Sequence, residues 1–401
     1  MIFSATTTAL AKAIAAVAKI APGSSTLPVL SHILLSTNGE AGIRVAATNL
    51  STAVVLWLPA NVQQEGAITL PAKLLEQFIG RLDADRVEFA VNKKTMTATI
   101  TAGKAVSNIK GIDADDFPVI PTAADLLKAP DCLTTELAPS RLADLIATTT
   151  FAASRDESRP TLCGVETTLD AESQRLTLIA TDGYRMALTA TPIATNGLVG
   201  KRVALPPATL LDQAQRLLNA LADDDKPVTV TISANQISFA AEGKTTKTGQ
   251  EIQALQIVGQ LVDAKFPDAR AIIPKREQTK TKAVVSADKL HAALQLTGLF
   301  ARDNNSIVRM EFDPDPNDPH ITIAAASAES GDSTNTVEAA IEGKPLVISF
   351  NGNYMSDYLT STPATQIVML LTEPTRPVLM HPYGCDADDG MCVVMPMHPP
   401  K

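Results

Sequence analysis

The sequence lacks the features that mark membrane and secreted proteins. No apolar run approaches the roughly 18 residues that a membrane-spanning helix needs. The start, Met1-Ile2-Phe3-Ser4, has neither the basic nor the apolar region of a secretion signal. The four cysteines (Cys132, Cys163, Cys385 and Cys392) show no CxxC spacing. These absences predict a reduced, cytoplasmic protein without a membrane anchor.

Signatures of catalysis and of metal binding are also missing. The sequence has no P-loop, no nucleophile elbow and no GxGxxG, and its five histidines show no metal-ligand spacing. Residues 313–318 (DPDPND) start like a calcium loop, but the loop has no glycine at its sixth position and no acid at its twelfth. The sequence therefore predicts a protein without a bound metal or cofactor.

Composition and charge limit the size of the core and the choice of partners. The chain has 401 residues, 45% of them apolar and 19% charged, which is enough apolar material for the cores of two or three domains. The formal net charge of −9 argues against a protein that grips nucleic acid with its whole surface. It leaves open a protein that keeps a basic face apart from an acidic exterior.

One stretch in the middle of the chain reads as a strand, a turn and a second strand. The apolar run 176–179 leads into residues 180–188 (ATDGYRMAL). There Asp-Gly predicts a turn, because glycine accepts a positive φ. Two other stretches, 43–49 before it and 321–327 after it, have a similar position relative to the elements around them. This echo indicates an internal repeat.

A helix, a hairpin and a second helix surround the first copy of this stretch. Residues 9–21 have apolar side chains at helical spacing and predict an amphipathic helix, which Thr6 or Thr7 caps. Two apolar runs around Asn38-Gly39 predict a β-hairpin. Residues 71–78 predict a second helix with a proline in its first turn.

The same order of elements recurs twice more, with first helices at 140–155 and 286–302. The distance from the first helix to the turn is nearly constant: 38 residues from Leu10 to Thr48, 39 from Leu142 to Thr181 and 37 from Leu290 to Ser327. The second helix follows each turn by about 25 residues, near 71, 206 and 351. We therefore predict three copies of one unit with two helices and several antiparallel strands.

Phe-Pro pairs close the first two copies. They lie in 117–121 and 266–274, where a later proline also prevents the chain from continuing a strand ladder. The sequence therefore predicts an α+β fold of three repeated domains, with the bounds 1–127, 128–276 and 277–401.

The repeat favours a ring. Each predicted helix has one apolar face and one face of small or basic residues. When the apolar face packs on a sheet, the face of small or basic residues lines a surface. When such units are joined head to tail, these faces lie on one side of the assembly. Closing the units into a ring leaves no strand edge unpaired. Twelve helices at roughly 9 Å spacing form a circle about 34 Å across, with an opening of about 25 Å that admits a DNA double helix. Six units give this opening, so we predict a homodimer.

The chain resembles the bacterial β sliding clamp, the processivity subunit of DNA polymerase III, over essentially its whole length. Four segments carry the resemblance: TLPVL at 26–30, ATDGYR at 180–185, KFPDAR at 265–270 and VVMPM at 393–397. The resemblance implies repeated domains of the DNA-clamp type, joined in a head-to-tail dimer as a six-domain ring with helices inside and sheets outside.

The resemblance also implies a hydrophobic cleft between the second and third domains, which takes short peptides from partner proteins. The residues that it assigns to this cleft are Leu162, Thr181, Gly183, Tyr184, Arg185, Met186, Pro267, Ile272, Val378, Val393, Met395, Pro396 and Met397. Methionine suits such a surface because its thioether side chain repacks around different partners. Arg185 is expected to steer acceptor groups of the peptide. The alternative is that Met395 and Met397 are core residues and that 181–183 is only a turn.

The sequence departs from the family at three positions of this cleft. Tyr184 replaces a frequent histidine, and Ala271 and His398 lie where the family has basic residues in some members. These departures bear on which peptides bind best.

The predicted helices are expected to face DNA. Their candidates for phosphate contacts are Lys12, Lys19, Lys73, Arg81, Arg141, Arg216 and Lys289. The six helical segments carry a net charge of +4 against −9 for the chain, so the remainder carries −13. Asp357 opposes the positive lining. Phosphate contacts read no sequence and break readily, which lets a ring slide on double-stranded DNA. For each residue, a solvated helix face is the alternative.

A dimer interface follows from the same resemblance. Leu299 and Phe300 of the third domain are expected to meet an edge strand around Ser107 and Ile109 of the other chain. The alternative is that Leu299 and Phe300 complete an ordinary core.

The leading hypothesis is a non-enzymatic ring that tethers the catalytic subunit of the replicative DNA polymerase to DNA. A polymerase that lets go then stays beside its template and rebinds. An ATP-driven clamp loader, translesion polymerases and repair proteins are the other expected partners. The alternative is a duplicated clamp-like scaffold with a specialised partner set and weak DNA loading. An enzyme with its active site around Asp182 and Arg185 requires a nearby nucleophile or base, and the sequence offers none.

Overall fold

The computed structural model describes residues 1–37, 39, 42–128, 132–194, 200–246, 249–385 and 389–397. Contacts group the chain into two compact units. The first comprises Met1–Ala143, Ala194–Leu198 and Gln213–Leu261, and the second comprises Asp144–Ile193, Val199–Asp212 and Val262–Lys401. Asn38 of the predicted hairpin and His398 of the predicted cleft lie outside the described residues.

The helices follow the predicted repeat. The described residues form α1 (Thr7–Ala18), α2 (Ala72–Ile79), α3 (Ala123–Leu127), α4 (Pro139–Thr150), α5 (Ala208–Leu221), α6 (Ala287–Gly298) and α7 (Gly352–Ser361). All but α3 correspond to the two predicted helices of each copy. Within the described ranges, no helix has both the length and the apolar character needed to cross a membrane.

The strands of the first unit and those of the second alternate along the chain. The first unit has β1 (Ile2–Thr6), β2 (His32–Thr37), β3 (Ile43–Thr48), β4 (Thr52–Leu58), β5 (Asn61–Gln64), β6 (Ala67–Pro71), β7 (Arg86–Asn92), β8 (Thr97–Ala102), β9 (Ala105–Lys110) and β10 (Leu133–Leu137). The second unit then has β11 (Glu166–Asp170), β12 (Arg175–Thr181), β13 (Arg185–Pro192) and β14 (Lys201–Ala204). The first unit resumes with β15 (Val228–Ile232), β16 (Gln236–Glu242), β17 (Thr245–Thr246), β18 (Gly249–Gln250) and β19 (Ala254–Gln260). The second unit ends with β20 (Thr281–Ser286), β21 (Ile307–Asp313), β22 (His320–Ser327), β23 (Gly331–Gly343), β24 (Leu346–Asn351), β25 (Gln366–Leu371), β26 (Val378–Pro382) and β27 (Asp389–Val394).

These strands form antiparallel sheets, as predicted. The first unit holds an eight-stranded sheet in the order β10-β15-β16-β19-β4-β3-β2-β6, a five-stranded sheet in the order β5-β1-β7-β8-β9, and the pair β17-β18. The second unit holds a twelve-stranded sheet in the order β14-β11-β12-β13-β27-β26-β25-β20-β23-β22-β21-β24. The α+β class is therefore confirmed.

The first helix has the predicted apolar face but different ends. Leu10, Ile14 and Val17 are fully buried in the first unit. The helix spans Thr7–Ala18, and Thr6 at its N-cap makes no side-chain capping bond. Capping by the threonine hydroxyl was therefore a wrong prediction. Since Thr6 is also the last residue of β1, the chain enters the helix directly from the sheet, and the N–H of Thr7 donates to the carbonyl of Asp85 (3.0 Å).

Two other helix predictions need correction. The helix predicted over 140–155 ends at Thr150. The hydroxyls of Thr148 and Thr149 donate back to carbonyls of the preceding turn, a pattern that weakens a helix. The sequence interpretation also missed α3, whose start is fixed by a capping box between Thr122 and Asp125.

The turn between β12 and β13 is held by the side chains of Thr181 and Asp182. The hydroxyl of Thr181 accepts from the N–H of Gly183 (3.1 Å) and donates to the carbonyl of Arg185 (2.6 Å). Asp182 Oδ1 accepts from the N–H groups of Tyr184 (2.8 Å) and Arg185 (3.0 Å). Gly183 has φ +94°, as the Asp-Gly signal predicts.

The turn between β3 and β4 repeats this set of bonds. Thr48 Oγ1 accepts from the N–H of Leu50 and donates to the carbonyl of Thr52. Asn49 Oδ1 accepts from the N–H groups of Ser51 and Thr52. Leu50 has φ +74° at the position of Gly183. The internal repeat thus extends to individual hydrogen bonds.

Candidate functional site

The candidate cleft, defined by the thirteen residues that the resemblance assigned to it, lies entirely in the second unit. Its best-defined part joins the Thr181–Arg185 turn to the segment that follows β27. The N–H of Met395 donates to the carbonyl of Tyr184 (2.9 Å), and the N–H of Met397 donates to the carbonyl of Ser349 (2.8 Å). Met395, Pro396 and Met397 are half-buried, whereas the side chain of Tyr184 is 52% exposed. An exposed aromatic ring therefore lies beside a segment that contains two methionines.

Strand register divides the predicted cleft residues between two faces of the sheet. Arg185 pairs with Val394, and Met186 pairs with Val393. Paired side chains share a face, and successive side chains along a strand point to opposite faces. Met186 and Val393 belong to a core cluster against which Ile272 packs, whereas Val378 and Val394 belong to a different cluster. The predicted residues therefore do not line one continuous surface.

Three of the predicted residues are inaccessible. Met186, Val378 and Val393 have no exposed surface, so in this structure they lie beneath the site, and their part in peptide binding stays a prediction. They are core residues under the site, because β13, β26 and β27 are interior strands of the twelve-stranded sheet. Thr181 is also buried, and its hydroxyl is fully engaged in the turn.

The accessible part of the site is a groove of about 810 Å³ that includes Ile272 and Met395. Sequence reasoning missed several residues that line it, among them Ile273, Pro274, Lys275, Thr375, Arg376 and Pro377. The last three precede the buried Val378 in a loop between β25 and β26. A loop position carries no periodic signal, and the sequence interpretation chose the strand residue instead.

The remaining predicted residues lie at the surface of the second unit. Gly183 and Pro267 are exposed, and Leu162 is half-buried. The N–H of Leu162 donates to the carbonyl of Arg159 (2.9 Å), and its carbonyl accepts from Ser154 (2.8 Å). These bonds fix Leu162 in a turn-rich segment between α4 and β11.

Arg185 does not have the role that the sequence suggested. Its side chain is only 10% exposed, its Nε donates to Asp182 Oδ2 (3.1 Å) and its Nη1 donates to Asp357 Oδ2 (2.6 Å). The guanidinium lies 4.6 Å from the ring centroid of Tyr354 and 5.5 Å from that of Phe151. Two acids and two rings thus enclose the cation, which corrects the expectation that Arg185 steers a peptide.

Tyr354 and Asp357 belong to this cluster, and sequence reasoning did not assign either residue to the cleft. It counted Asp357 only as an unfavourable charge toward DNA. Burial raises the pKa of the Tyr354 hydroxyl, and the Asp182 carboxylate raises it further, so the ring stays neutral at physiological pH. The proximity of Arg185 to residues about 170 positions later has no signal in a single sequence.

Some of the predicted DNA-facing residues lie together in the first unit. Lys12, Lys19 and Arg216 line one groove of about 520 Å³, together with Ala15 and Ala16 of α1 and with Ile20, which follows this helix. Lys12 Nζ lies 2.5 Å from Glu251 Oε2, and in the second unit Lys289 Nζ lies 3.2 Å from Glu338 Oε2. These two ion pairs reduce the positive charge that Lys12 and Lys289 present.

The other predicted DNA-facing residues lie on separate helices. Lys73 and Arg81 are exposed, on α2 and just after it, and Arg141 is half-buried on α4. Arg81 Nη1 donates weakly to the carbonyl of Gln77 at 3.5 Å.

The predicted interface residues differ in exposure. β9 is an edge strand of the five-stranded sheet, as expected. Ser107 is half-buried, but Ile109 is only 5% exposed and faces the core of its own unit, whereas Val106 is 62% exposed. Leu299 is 51% exposed and Phe300 is half-buried. The side chain of Ile109 is thus directed into its own unit, and Val106 is the exposed apolar residue of this edge. That the edge strand around Ser107 to Ile109 meets the other chain stays a prediction.

No group of three or more His, Cys, Asp or Glu side chains is arranged for a metal ion among the residues that the structure describes. In the loop that starts like a calcium site, Asp313 Oδ1 accepts from the N–H of Asp315, and Asp315 Oδ1 accepts from the N–H of Asn317. These carboxylates stabilise turns.

Comparison with known proteins gives three consecutive family matches. Residues 1–121 match the family described as "DNA polymerase III beta subunit, N-terminal domain", residues 136–268 match its central domain, and residues 270–398 match its C-terminal domain.

Individual relatives are similar over nearly the whole chain. The beta sliding clamp of Synechococcus elongatus is 28% identical over 369 residues, which are 92% of each chain. That of Bacillus subtilis is 27% identical over 383 residues, 92% of this chain and 93% of the relative. Among solved structures, the DNA polymerase III beta subunit of Thermotoga maritima has a TM-score of 0.83 and 25% identity, and covers 99% of this chain and 100% of its own. The Bacillus subtilis sliding clamp has a TM-score of 0.85 and 24% identity over 99% of both chains, which shows a shared fold.

Proposed function

The chain belongs to the family of DNA polymerase III beta subunits, the beta sliding clamps, and we propose that it encircles double-stranded DNA as a head-to-tail homodimer. As a member of this family it has the three-domain clamp fold and is a non-catalytic factor that confers processivity on a DNA polymerase. The proposed domains are 1–127, 128–276 and 277–401. Consecutive matches to the three domains of the family support this division.

A surface for partner peptides is the second part of the proposal. The bond between the N–H of Met395 and the carbonyl of Tyr184 carries it, because this bond joins the backbone of a residue with an exposed ring to a methionine-containing segment. The adjoining groove with Ile272, Pro377 and Met395 provides room for apolar side chains. Exposed aromatic residues and methionines are enriched where proteins bind one another. The catalytic subunit of the replicative polymerase, the clamp loader, translesion polymerases and repair proteins are the proposed partners.

The proposed DNA contacts use the basic residues of the helices. The groove that contains Lys12, Lys19 and Arg216 supports contacts to phosphates, which are independent of base sequence. The proposed set of phosphate contacts also includes Lys73, Arg81, Arg141 and Lys289.

Peptide binding tests the proposed surface. A fluorescein-labelled peptide from the clamp-binding segment of the cognate polymerase is titrated with the chain, and fluorescence anisotropy gives the dissociation constant. Met395→Asp is expected to weaken binding by roughly 30-fold, since a central apolar contact contributes about 2 kcal/mol. Val203→Asp is the control, because it places the same charge at an exposed apolar residue (54%) on β14, outside the proposed surface. Equal losses in both variants would count against the proposal.

The ion pairs of Lys12 and Lys289 favour one alternative, a clamp-like duplicate that loads weakly on DNA. Primer extension on a primed circular template, with the cognate loader and polymerase, separates the two functions. Long products in a single binding event support a clamp that confers processivity. Short products despite intact peptide binding support the clamp-like duplicate that loads weakly on DNA.

We also propose that the protein acts in the cytoplasm. The four free cysteines support a reducing compartment.

A further inference from the structure

Arg185 is a buried cation with more partners than its turn requires. Its backbone N–H binds Asp182 Oδ1, and its side chain binds Asp182 Oδ2 and Asp357 Oδ2. Burial of a cation is costly unless acids pair with it. Asp182 precedes Arg185 by only three residues, whereas Asp357 lies on α7. The second ion pair therefore ties the turn to a helix that is distant in sequence.

The repeated turn shows that this tie is not needed to form the turn. Residues 48–52 make the same four hydrogen bonds as residues 181–185, and Thr52 occupies the position of Arg185. The two turns also accept the same backbone bond, from the N–H of Gln260 to the carbonyl of Ser51 (2.8 Å) and from the N–H of Met395 to that of Tyr184 (2.9 Å). The hydrogen bonds of the turn are thus independent of an arginine. The ion pair between the buried Arg185 and the half-exposed Asp357 is a contact that the second turn makes and the first does not.

The second turn exposes an aromatic side chain, which the first turn does not. Tyr184 is half exposed beside Met395, in the surface that we propose for partner peptides. Tyr184 immediately precedes Arg185, so a fixed Arg185 restricts the backbone from which the Tyr184 ring projects. Stacking of the guanidinium on Tyr354 restricts it further, because a planar cation on a ring face has a defined orientation.

We propose that Asp357 is a positioning residue of the partner-peptide surface, which acts through Arg185 to hold the Thr181–Arg185 turn in its binding conformation. This inference rests on the peptide-binding function proposed above. A site that is already in its binding conformation does not have to be ordered by the peptide, and the apparent affinity falls in proportion to the fraction of competent molecules. Asp357 itself does not touch the peptide in this account.

The inference also explains why an acid lies on a helix that is expected to face DNA. The sequence interpretation counted Asp357 against the positive charge of that surface. In the structure its carboxylate lies 2.6 Å from the Arg185 guanidinium, which Asp182 also pairs. Asp357 therefore binds a buried cation, although the three charges together still sum to −1.

The test compares two variants with a control. Asp357→Asn removes the charge with almost no change in shape, and Arg185→Thr introduces the residue that the first turn has at this position. Asp288→Asn, which removes an exposed acid from α6, is the control for a change in net charge. Anisotropy with the labelled polymerase peptide measures affinity, and hydrogen exchange measures the protection of the Tyr184 and Arg185 amides without any peptide.

We expect Asp357→Asn and Arg185→Thr to bind the peptide about tenfold more weakly, as when one molecule in ten has a competent turn. The two amides should exchange faster, while protection of the interior strands β12 and β27 stays unchanged. Asp288→Asn should behave like the wild type. Wild-type affinity or wild-type amide protection in Asp357→Asn would overturn the inference. Failure of the wild type to bind the peptide would instead refute the proposed peptide surface, and the inference with it.

Discussion

Cys392 and Cys385 are predicted to differ in reactivity because their surroundings differ. Cys392 is fully buried in β27, and burial raises the pKa of its thiol well above the usual range. Cys385 is exposed. In the native protein, iodoacetamide should therefore label Cys385 within minutes and leave Cys392 unmodified until the chain unfolds. Peptide mass spectrometry of samples with and without denaturant checks this, and rapid native labelling of Cys392 would contradict the described burial.

Two histidines give the stability a dependence on pH. Burial lowers the pKa of His32 below 6.5, and burial together with Arg276 and Lys282 lowers that of His381. Between 6.5 and the lowered values, the unfolded chain binds protons that the folded chain does not, so stability falls as the pH falls. The free energy of unfolding in urea should be lower at pH 5.5 than at pH 7.5.

The variant His32→Gln isolates the contribution of His32 to the pH dependence of stability. Glutamine does not titrate, so the drop in the free energy of unfolding between the two pH values should be smaller in the variant. An identical drop would show that His32 does not contribute.

Residue-level predictions from the sequence succeeded where the signal was local. The Asp182-Gly183 turn follows from two adjacent residues, and the structure confirms it. Arg185 and Met186 were assigned to one surface because they are neighbours in a motif, although the period of a strand sends them to opposite faces. The contact of Arg185 with Asp357 depends on how distant elements pack, which local patterns do not encode.

At the scale of elements, the two matching turns differ in the conformational free energy of the residue that has a positive φ. Leu50 has a positive φ that costs a non-glycine residue about 1–2 kcal/mol, whereas Gly183 adopts the same region freely. Leu50→Gly removes this cost but adds up to about 1 kcal/mol of conformational entropy. We therefore expect a net stabilisation of about 0.5–1 kcal/mol in urea unfolding.

The converse variant is the matched control. Gly183→Ala should destabilise by about 1 kcal/mol, since the added Cβ meets no other atom within 4 Å and only the backbone is strained. Changes of the same sign in both variants would contradict the equivalence of the two turns.

Helices were easier to predict than their ends. The apolar face of α1 follows from its spacing, and Leu10, Ile14 and Val17 are buried accordingly. The ends depend on hydrogen bonds with partners remote in sequence, such as that between Thr7 and Asp85, or on hydroxyls within the helix, as in Thr148 and Thr149. Short α3 has too few residues for a periodic signal.

At the scale of the whole molecule, the proposed dimer depends on apolar side chains that are exposed in one chain. Leu299 is 51% exposed at the C-cap of α6. Leu299→Asp places a charge in the proposed interface and should weaken the dimer at least tenfold, because burying an unpaired charge is unfavourable. Sedimentation velocity measures the monomer fraction. Val203→Asp should remain as dimeric as the wild type, and equal dissociation of both variants would argue against this interface.

The threefold repeat is the part of the architecture that the sequence predicts best, because three aligned spacings are improbable by chance. The accessible groove was predicted only in part. Ile272 and Met395 lie in recognisable motifs, but Lys275, Arg376 and Pro377 lie in connecting segments whose course depends on tertiary packing.

Enclosure of DNA is the central claim of this account, and retention on circular DNA tests it most directly. The labelled protein is loaded onto a nicked circular plasmid by the cognate loader, freed from unbound protein by gel filtration, and incubated with or without a restriction enzyme that cuts once. A ring held by topology should remain on the circle and leave once the DNA is linear, because it slides off the ends. Equal loss from circular and linear DNA would contradict enclosure.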